Sequence, residues 1–163
     1  MKKSILVIDD DVQIREALRK FLAGEGYQVL AAADGQAGID RFEARHIDLL
    51  LLDLNLPGRS GWDTYERVTS RDPLLPIVII TGRHQQLPLA MAAGVGALME
   101  KPLDLPVLLG TIAELLAEAP ESRLRRLAGF HPSTRYVQPR AERVVTPAPH
   151  PHPRPNSLPT GAS

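Results

Sequence analysis

The chain has 163 residues, 44% of them hydrophobic, and 19 basic side chains balance 19 acidic ones, which allows one buried core and hardly two. It contains no cysteine, so disulfides, thiolate catalysis and cysteine-ligated metals are excluded, as suits a reducing cytoplasm. The opening Met1-Lys2-Lys3-Ser4 is charged, but the apolar run Ile5–Ile8 stops at three aspartates, too short for a signal peptide or a membrane span, so a cytoplasmic protein without membrane contact is expected.

Taken in chain order, Ile5–Ile8 reads as a first strand, closed by Asp9-Asp10-Asp11. Ile14, Ala17, Leu18, Phe21 and Leu22 then recur at the spacing of an amphipathic helix. Gln28–Ala32 is a second strand and Gly35–Ala44 a second helix. Leu49–Leu52 is an unbroken apolar run, as in strands buried on both faces, and Asp53 ends it. Gly61–Ser70 follows as a helix in which Trp62 and Tyr65 serve packing. Ile77–Ile80 is the fourth strand, ending at Thr81-Gly82, and Gln85–Ala93 is the fourth helix, weakened by Pro88. Ala97–Met99 makes a fifth strand before Glu100-Lys101-Pro102. Asp104 caps a last helix whose stripe is Leu105, Leu108, Leu109, Ile112, Leu115 and Leu116, with Pro106 tolerated in its first turn.

Alternating strands and helices make an α/β fold, and right-handed crossovers favour a doubly wound, five-stranded parallel sheet of order 2-1-3-4-5, the flavodoxin-like (βα)5 arrangement. Strands one and three are then neighbours whose connections leave in opposite directions, and a crevice opens at their carboxyl ends. The domain is placed at 1–118. Residues 119–163 have a different composition, with nine of the fifteen prolines and seven basic against two acidic side chains, whereas 1–118 carries 17 acidic against 12 basic. That stretch is expected to be a disordered Pro/Arg-rich tail that adds nothing to the fold. Leu124, Leu127, Phe130, Tyr136 and Val137 are too scattered to close a core, and Arg123-Leu124-Arg125-Arg126-Leu127 reads as a solvated continuation of the last helix, so no specific DNA binding is expected.

The polar residues gather at the crevice. Asp9 and Asp10 follow strand one, Asp53 follows strand three, Thr81 strand four and Lys101 strand five. Asp9 and Asp10 alone could be helix-start residues, but a carboxylate ending a fully buried strand, as Asp53 does, needs a cation or hydrogen-bond donors. Three converging carboxylates repel, a hard divalent cation removes the conflict, and Mg²⁺ suits a few carboxylates supplemented by water and phosphate oxygens. Pro102 permits a cis bond that turns Lys101 inward, where its charge would neutralise phosphoryl oxygens, and the Thr81 hydroxyl could donate to the same oxygens. His46 and His84 stand apart without a histidine at helical spacing and read as solvated, while His131, His150 and His152 lie in the tail among prolines.

Ile5-Leu6-Val7-Ile8-Asp9-Asp10-Asp11, Asp53-Leu54-Asn55-Leu56-Pro57-Gly58, Thr81-Gly82 and Glu100-Lys101-Pro102 resemble, in order and spacing, the signature segments of bacterial response-regulator receiver domains. The resemblance covers residues 3–118. It implies that Asp53 is the phosphoacceptor, that Asp9, Asp10, Asp53 and the backbone carbonyl of Asn55 hold Mg²⁺, and that Thr81 and Lys101 contact the phosphoryl group. Asn55 and Arg83, two residues after Asp53 and Thr81, would modulate attack by water. The implied partners are a histidine kinase or phosphotransfer protein and a downstream protein meeting helix four, strand five and helix five. No enzymatic role beyond self-catalysed phosphoryl transfer and hydrolysis is implied. The sequence departs from the family at the switch position, where Leu98 stands three residues before the lysine in place of the usual aromatic.

Two other readings remain. Asp9-Asp10-Asp11-Val12 after an apolar strand also fits the nucleophile motif of haloacid-dehalogenase-type phosphatases, which need a further acidic pair beyond the lysine, where only Asp104 is offered. A nucleotide- or flavin-binding module would want a glycine-rich phosphate loop after strand one, and none follows.

Overall fold

The computed structural model describes residues 1–82, 85–130 and 134–139. Arg83, His84 and His131 lie outside the described residues, as do residues 140–163 with His150 and His152.

Strands β1 (Ser4–Ile8), β2 (Gln28–Ala32), β3 (Leu49–Asp53), β4 (Ile77–Thr81) and β5 (Ala97–Glu100) alternate with helices α1 (Val12–Gly24), α2 (Gly35–Ala44), α3 (Gly61–Arg71), α4 (Leu87–Ala92) and α5 (Leu105–Ala117). The caps are written in the sequence. Asp11 accepts from the amides of Gln13 and Ile14, Asp34 from Ala37 and Asp104 from Val107, while Ser60 and Asp63 form a reciprocal capping box at α3. The fourth helix is shorter than the expected 85–93: it starts at Leu87, where Pro88 is tolerated in the first turn, and has no side-chain cap.

With a short sixth strand, β6 (Arg135–Val137), all strand pairs are parallel, in the order β2-β1-β3-β4-β5-β6. Side-chain alternation divides the core in two. Leu6, Ile8, Leu50, Leu52, Ile77, Ile79 and Leu98 meet α2, α3 and α4 on one face. Ile5, Val7, Leu49, Leu51, Val78, Ile80, Ala97 and Met99 meet α1 and α5 on the other. Trp62 and Tyr65 pack against the first layer, their rings edge to face with centroids 5.4 Å apart, as packing residues should be.

The five expected strands pair in the expected order 2-1-3-4-5, and the segment expected to be a tail adds a short sixth strand at the β5 edge. No proline lies between Pro120 and Pro132, and within that stretch Pro120–Leu127 forms helix α6. Arg135–Val137 then forms β6 beside β5, with Leu98 opposite Tyr136, so that the outer edge of β5 is covered rather than open. Two arginines anchor α6. Arg123 donates to the carbonyls of Leu74 at 2.7 Å and Leu115 at 3.1 Å. Arg126 is buried, donates to the Gly94 carbonyl at 3.1 Å, and makes a two-point contact with Glu118. Those arginines are therefore docking groups rather than a solvated helical extension. Leu124, Leu127 and Phe130 remain exposed, while Val137 packs against the second core layer.

Candidate functional site

Strand parity explains which side chains meet. Asp9, Asp53 and Lys101 continue the alternation of Val7, Leu51 and Met99, so all three leave the carboxyl ends of β1, β3 and β5 on the α1–α5 side. Asp9 and Asp53 are 1% exposed. Together with exposed Asp10 they present carboxylate oxygens within 4.8 Å of one another. The Lys101 ammonium reaches in from the end of β5, 3.0 Å from Asp9 Oδ2 and 3.2 Å from Asp53 Oδ2. The Lys101–Pro102 peptide is cis, as anticipated from the sequence.

The remaining carboxylate oxygens are held by backbone. The Asp11 amide donates to Asp9 Oδ1 and the Asn55 amide to Asp53 Oδ1, each at 2.9 Å. Asp9 Oδ2 is buried and accepts no hydrogen bond: the nearby ammonium pairs with it by charge, off the direction a hydrogen bond requires. Burial, opposed by the Asp11 amide and Lys101 and reinforced by the charge of Asp53, leaves the Asp9 carboxyl above the usual aspartate range. Burial alone would lower the Lys101 ammonium, but its contacts with Asp9 and Asp53 outweigh this and hold it above the usual lysine value. One ammonium against three carboxylates leaves two uncompensated negative charges, which is the demand a divalent cation meets. The residues present therefore fit a hard divalent ion.

Some supporting residues carried no sequence signal. Arg15, on the first turn of α1, donates to the carbonyls of Asp9 at 2.7 Å and Asp10 at 2.9 Å, bracing the loop on which both aspartates sit. Its only clue was a position one turn beyond the cap. Gly61 is required because a Cβ there would lie 2.3 Å from Leu54 Cα and 2.7 Å from the Asp53 carbonyl, so α3 can start directly beneath the end of β3. Gly58 supplies a φ of 75° in the same connection.

Thr81 is buried and continues the parity of Ile79, toward the α3–α4 side, and its carbonyl accepts from the Lys101 amide at 2.8 Å. Leu98 is 1% exposed in that same layer. Asn55 is exposed at the crevice rim. His46 lies far from it, exposed beside Asp48 at 3.3 Å. Asp104 is engaged as the cap of α5. Among the described residues, Asp9, Asp10 and Asp53 form the one carboxylate or histidine cluster able to hold a metal, and no helix is long and apolar enough to cross a membrane.

Comparison with known proteins agrees with this geometry. The model of the family described as "Response regulator receiver domain" matches residues 5–113. The response regulator MprA of Mycobacterium bovis is 33% identical over 131 residues, 78% of this chain and 57% of its own length, so the chain spans little more than half of such a relative. Among solved structures, the CheY-like receiver domain protein of Methanospirillum hungatei has a TM-score of 0.68 at 28% identity, covering 77% of this chain and 98% of its own. The response regulator TrrA of Thermotoga maritima, in complex with Mg²⁺-BeF, has a TM-score of 0.65 at 26% identity, covering 69% of this chain and 98% of its own. With the matched segment running from β1 into α5 and the acidic cluster at the sheet's carboxyl edge, the chain belongs to the response regulator receiver domain family of two-component signalling.

Proposed function

We propose that Asp53 accepts a phosphoryl group from the phosphohistidine of a histidine kinase or phosphotransfer protein, or from a small phosphodonor. The observation that carries this reading is a buried carboxylate, Asp53, ion-paired to Lys101 within a cluster that also contains Asp9 and Asp10. Asp9, Asp10, Asp53 and the backbone carbonyl of Asn55 would hold Mg²⁺, which supplies charge neutralisation for the transferring group. The complex of TrrA with Mg²⁺-BeF supports that assignment.

An Asp53 carboxylate oxygen attacks phosphorus as the bond to the donor's imidazole nitrogen breaks, giving an acyl phosphate and a free imidazole. The Asn55 amide keeps Asp53 Oδ1 oriented while Lys101, already 3.2 Å from Oδ2, stays protonated and turns its ion pair to the phosphoryl oxygens. Thr81 follows the new oxygens and carries the change into β4 and β5. Asn55 and Arg83 tune hydrolysis, an assignment that for Arg83 rests on sequence position alone. The protein is a cytoplasmic signalling component rather than an enzyme acting on a separate substrate. Its downstream partner meets α4 and α5 together with the outer surface of α6 and β6, because β6 occupies the β5 edge. Specific DNA binding is not part of this reading.

The test is gel retardation of the phosphorylated form after incubation with acetyl phosphate. Wild type should shift with Mg²⁺ and not with chelator, and Asp53→Asn should not shift. Equal shifts for both proteins would sink the assignment.

A further inference from the structure

The segment after α5 brings one side chain into reach of the site from outside the family-matched residues. β6 runs parallel to β5 with Tyr136 opposite Leu98, and side-chain alternation puts Tyr136 on the same face as Glu100, two residues further along β5. The Tyr136 hydroxyl donates to the Glu100 carboxylate, which is 7% exposed. Glu100 stands opposite Thr81 in the β4–β5 register, and the next amide, that of Lys101, donates to the Thr81 carbonyl at 2.8 Å.

Successive residues at a strand end point to opposite faces, so Glu100 and Lys101 are two arms on one short length of backbone. A roll of that backbone that moves the carboxylate on one face moves the lysine stem on the other. The lysine arm reaches across to Asp9 and Asp53 and is 22% exposed, with a long flexible stem. Holding the glutamate arm is therefore a way to aim the lysine arm. Resting on the assignment of Asp53 as phosphoacceptor, we propose that Tyr136 is a positioning residue for the phosphoryl site, acting through Glu100 to fix the end of β5 on which Lys101 is mounted.

The experiment compares full-length wild type, Tyr136→Phe and Thr134→Ala for self-phosphorylation by acetyl phosphate. The second variant removes a different docking bond of the same segment, from Thr134 Oγ1 to the Val95 carbonyl at 2.8 Å, and touches nothing at the site. Tyr136→Phe should lower the rate at saturating Mg²⁺ roughly fivefold, the factor that the net value of an ordinary intramolecular hydrogen bond represents. Its apparent Mg²⁺ affinity should stay at the wild-type value, because Asp9, Asp10 and Asp53 are untouched, and Thr134→Ala should keep the wild-type rate. A Tyr136→Phe rate within about twofold of wild type, or an equal fall in Thr134→Ala, would overturn the positioning role while leaving the phosphoacceptor intact. Absence of Mg²⁺-dependent label in wild type would instead remove the phosphoacceptor assignment, and the positioning role with it.

Discussion

Replacing Arg126 by methionine tests whether the segment after α5 is truly docked. Methionine keeps most of the buried volume but removes the guanidinium, and with it the bond to the Gly94 carbonyl and the two-point contact with Glu118. Three charge-assisted bonds at about 1.5 kcal/mol each would suggest a loss above 4 kcal/mol. A ceiling applies, because the chain can release α6 and β6 and rehydrate Glu118, so the observed loss cannot exceed the docking free energy of that segment. With Leu124, Leu127 and Phe130 exposed and Val137 only partly buried, that free energy draws little on apolar burial. A loss of about 2 kcal/mol is expected, or roughly 4–8 °C in Tm for a chain of this size. Urea and thermal melts of wild type, Arg126→Met and a chain ending at Glu118 measure it. Arg126→Met should be no less stable than the truncated chain. A variant within about 0.5 kcal/mol of wild type, or one less stable than the truncation, would refute the reasoning.

Gly61→Ala should destabilise by about 2 kcal/mol or more and slow phosphorylation, because its Cβ would press on Leu54 Cα and the Asp53 carbonyl, backbone that cannot rotate aside. Thermal melts and the acetyl phosphate assay read both effects, and a fully active, equally stable variant would contradict the close approach. Burial alone would raise the Asp48 carboxyl, but bonds from the Ser4 amide, Lys3 and His46 outweigh it and hold the folded value below the ordinary 3.8. Asp48 therefore contributes stability that is fully present above that ordinary value and lost as pH falls through the lower folded one. The stability gap between wild type and Asp48→Asn, from urea melts between about pH 6 and pH 2, should narrow on acidification; a gap independent of pH would contradict it.

Much of the fold was legible because strand and helix signals here are strong and local. The runs Leu49–Leu52 and Ile77–Ile80, the cap at Asp104 and the aspartate ending β3 each state their role within a few residues. The sheet order followed from crossover handedness, and the site followed from the order. What escaped was non-local or polar. β6 is three residues long between prolines, and pairs only because β5 leaves an edge. Arg123 and Arg126 look like any basic surface run until carbonyls at Leu74, Leu115 and Gly94 come within reach. Arg15 likewise acts through backbone carbonyls, which sequence pattern does not display.

The most direct measurement locates the phosphoryl group itself. Borohydride reduces an acyl phosphate to the alcohol, so an aspartate that carried the group becomes homoserine and is identified by mass spectrometry of the digested protein. After incubation with acetyl phosphate and Mg²⁺, homoserine is expected at position 53 and nowhere else. Homoserine at position 9 would contradict the receiver chemistry argued for this site and favour the phosphatase reading of Asp9-Asp10-Asp11.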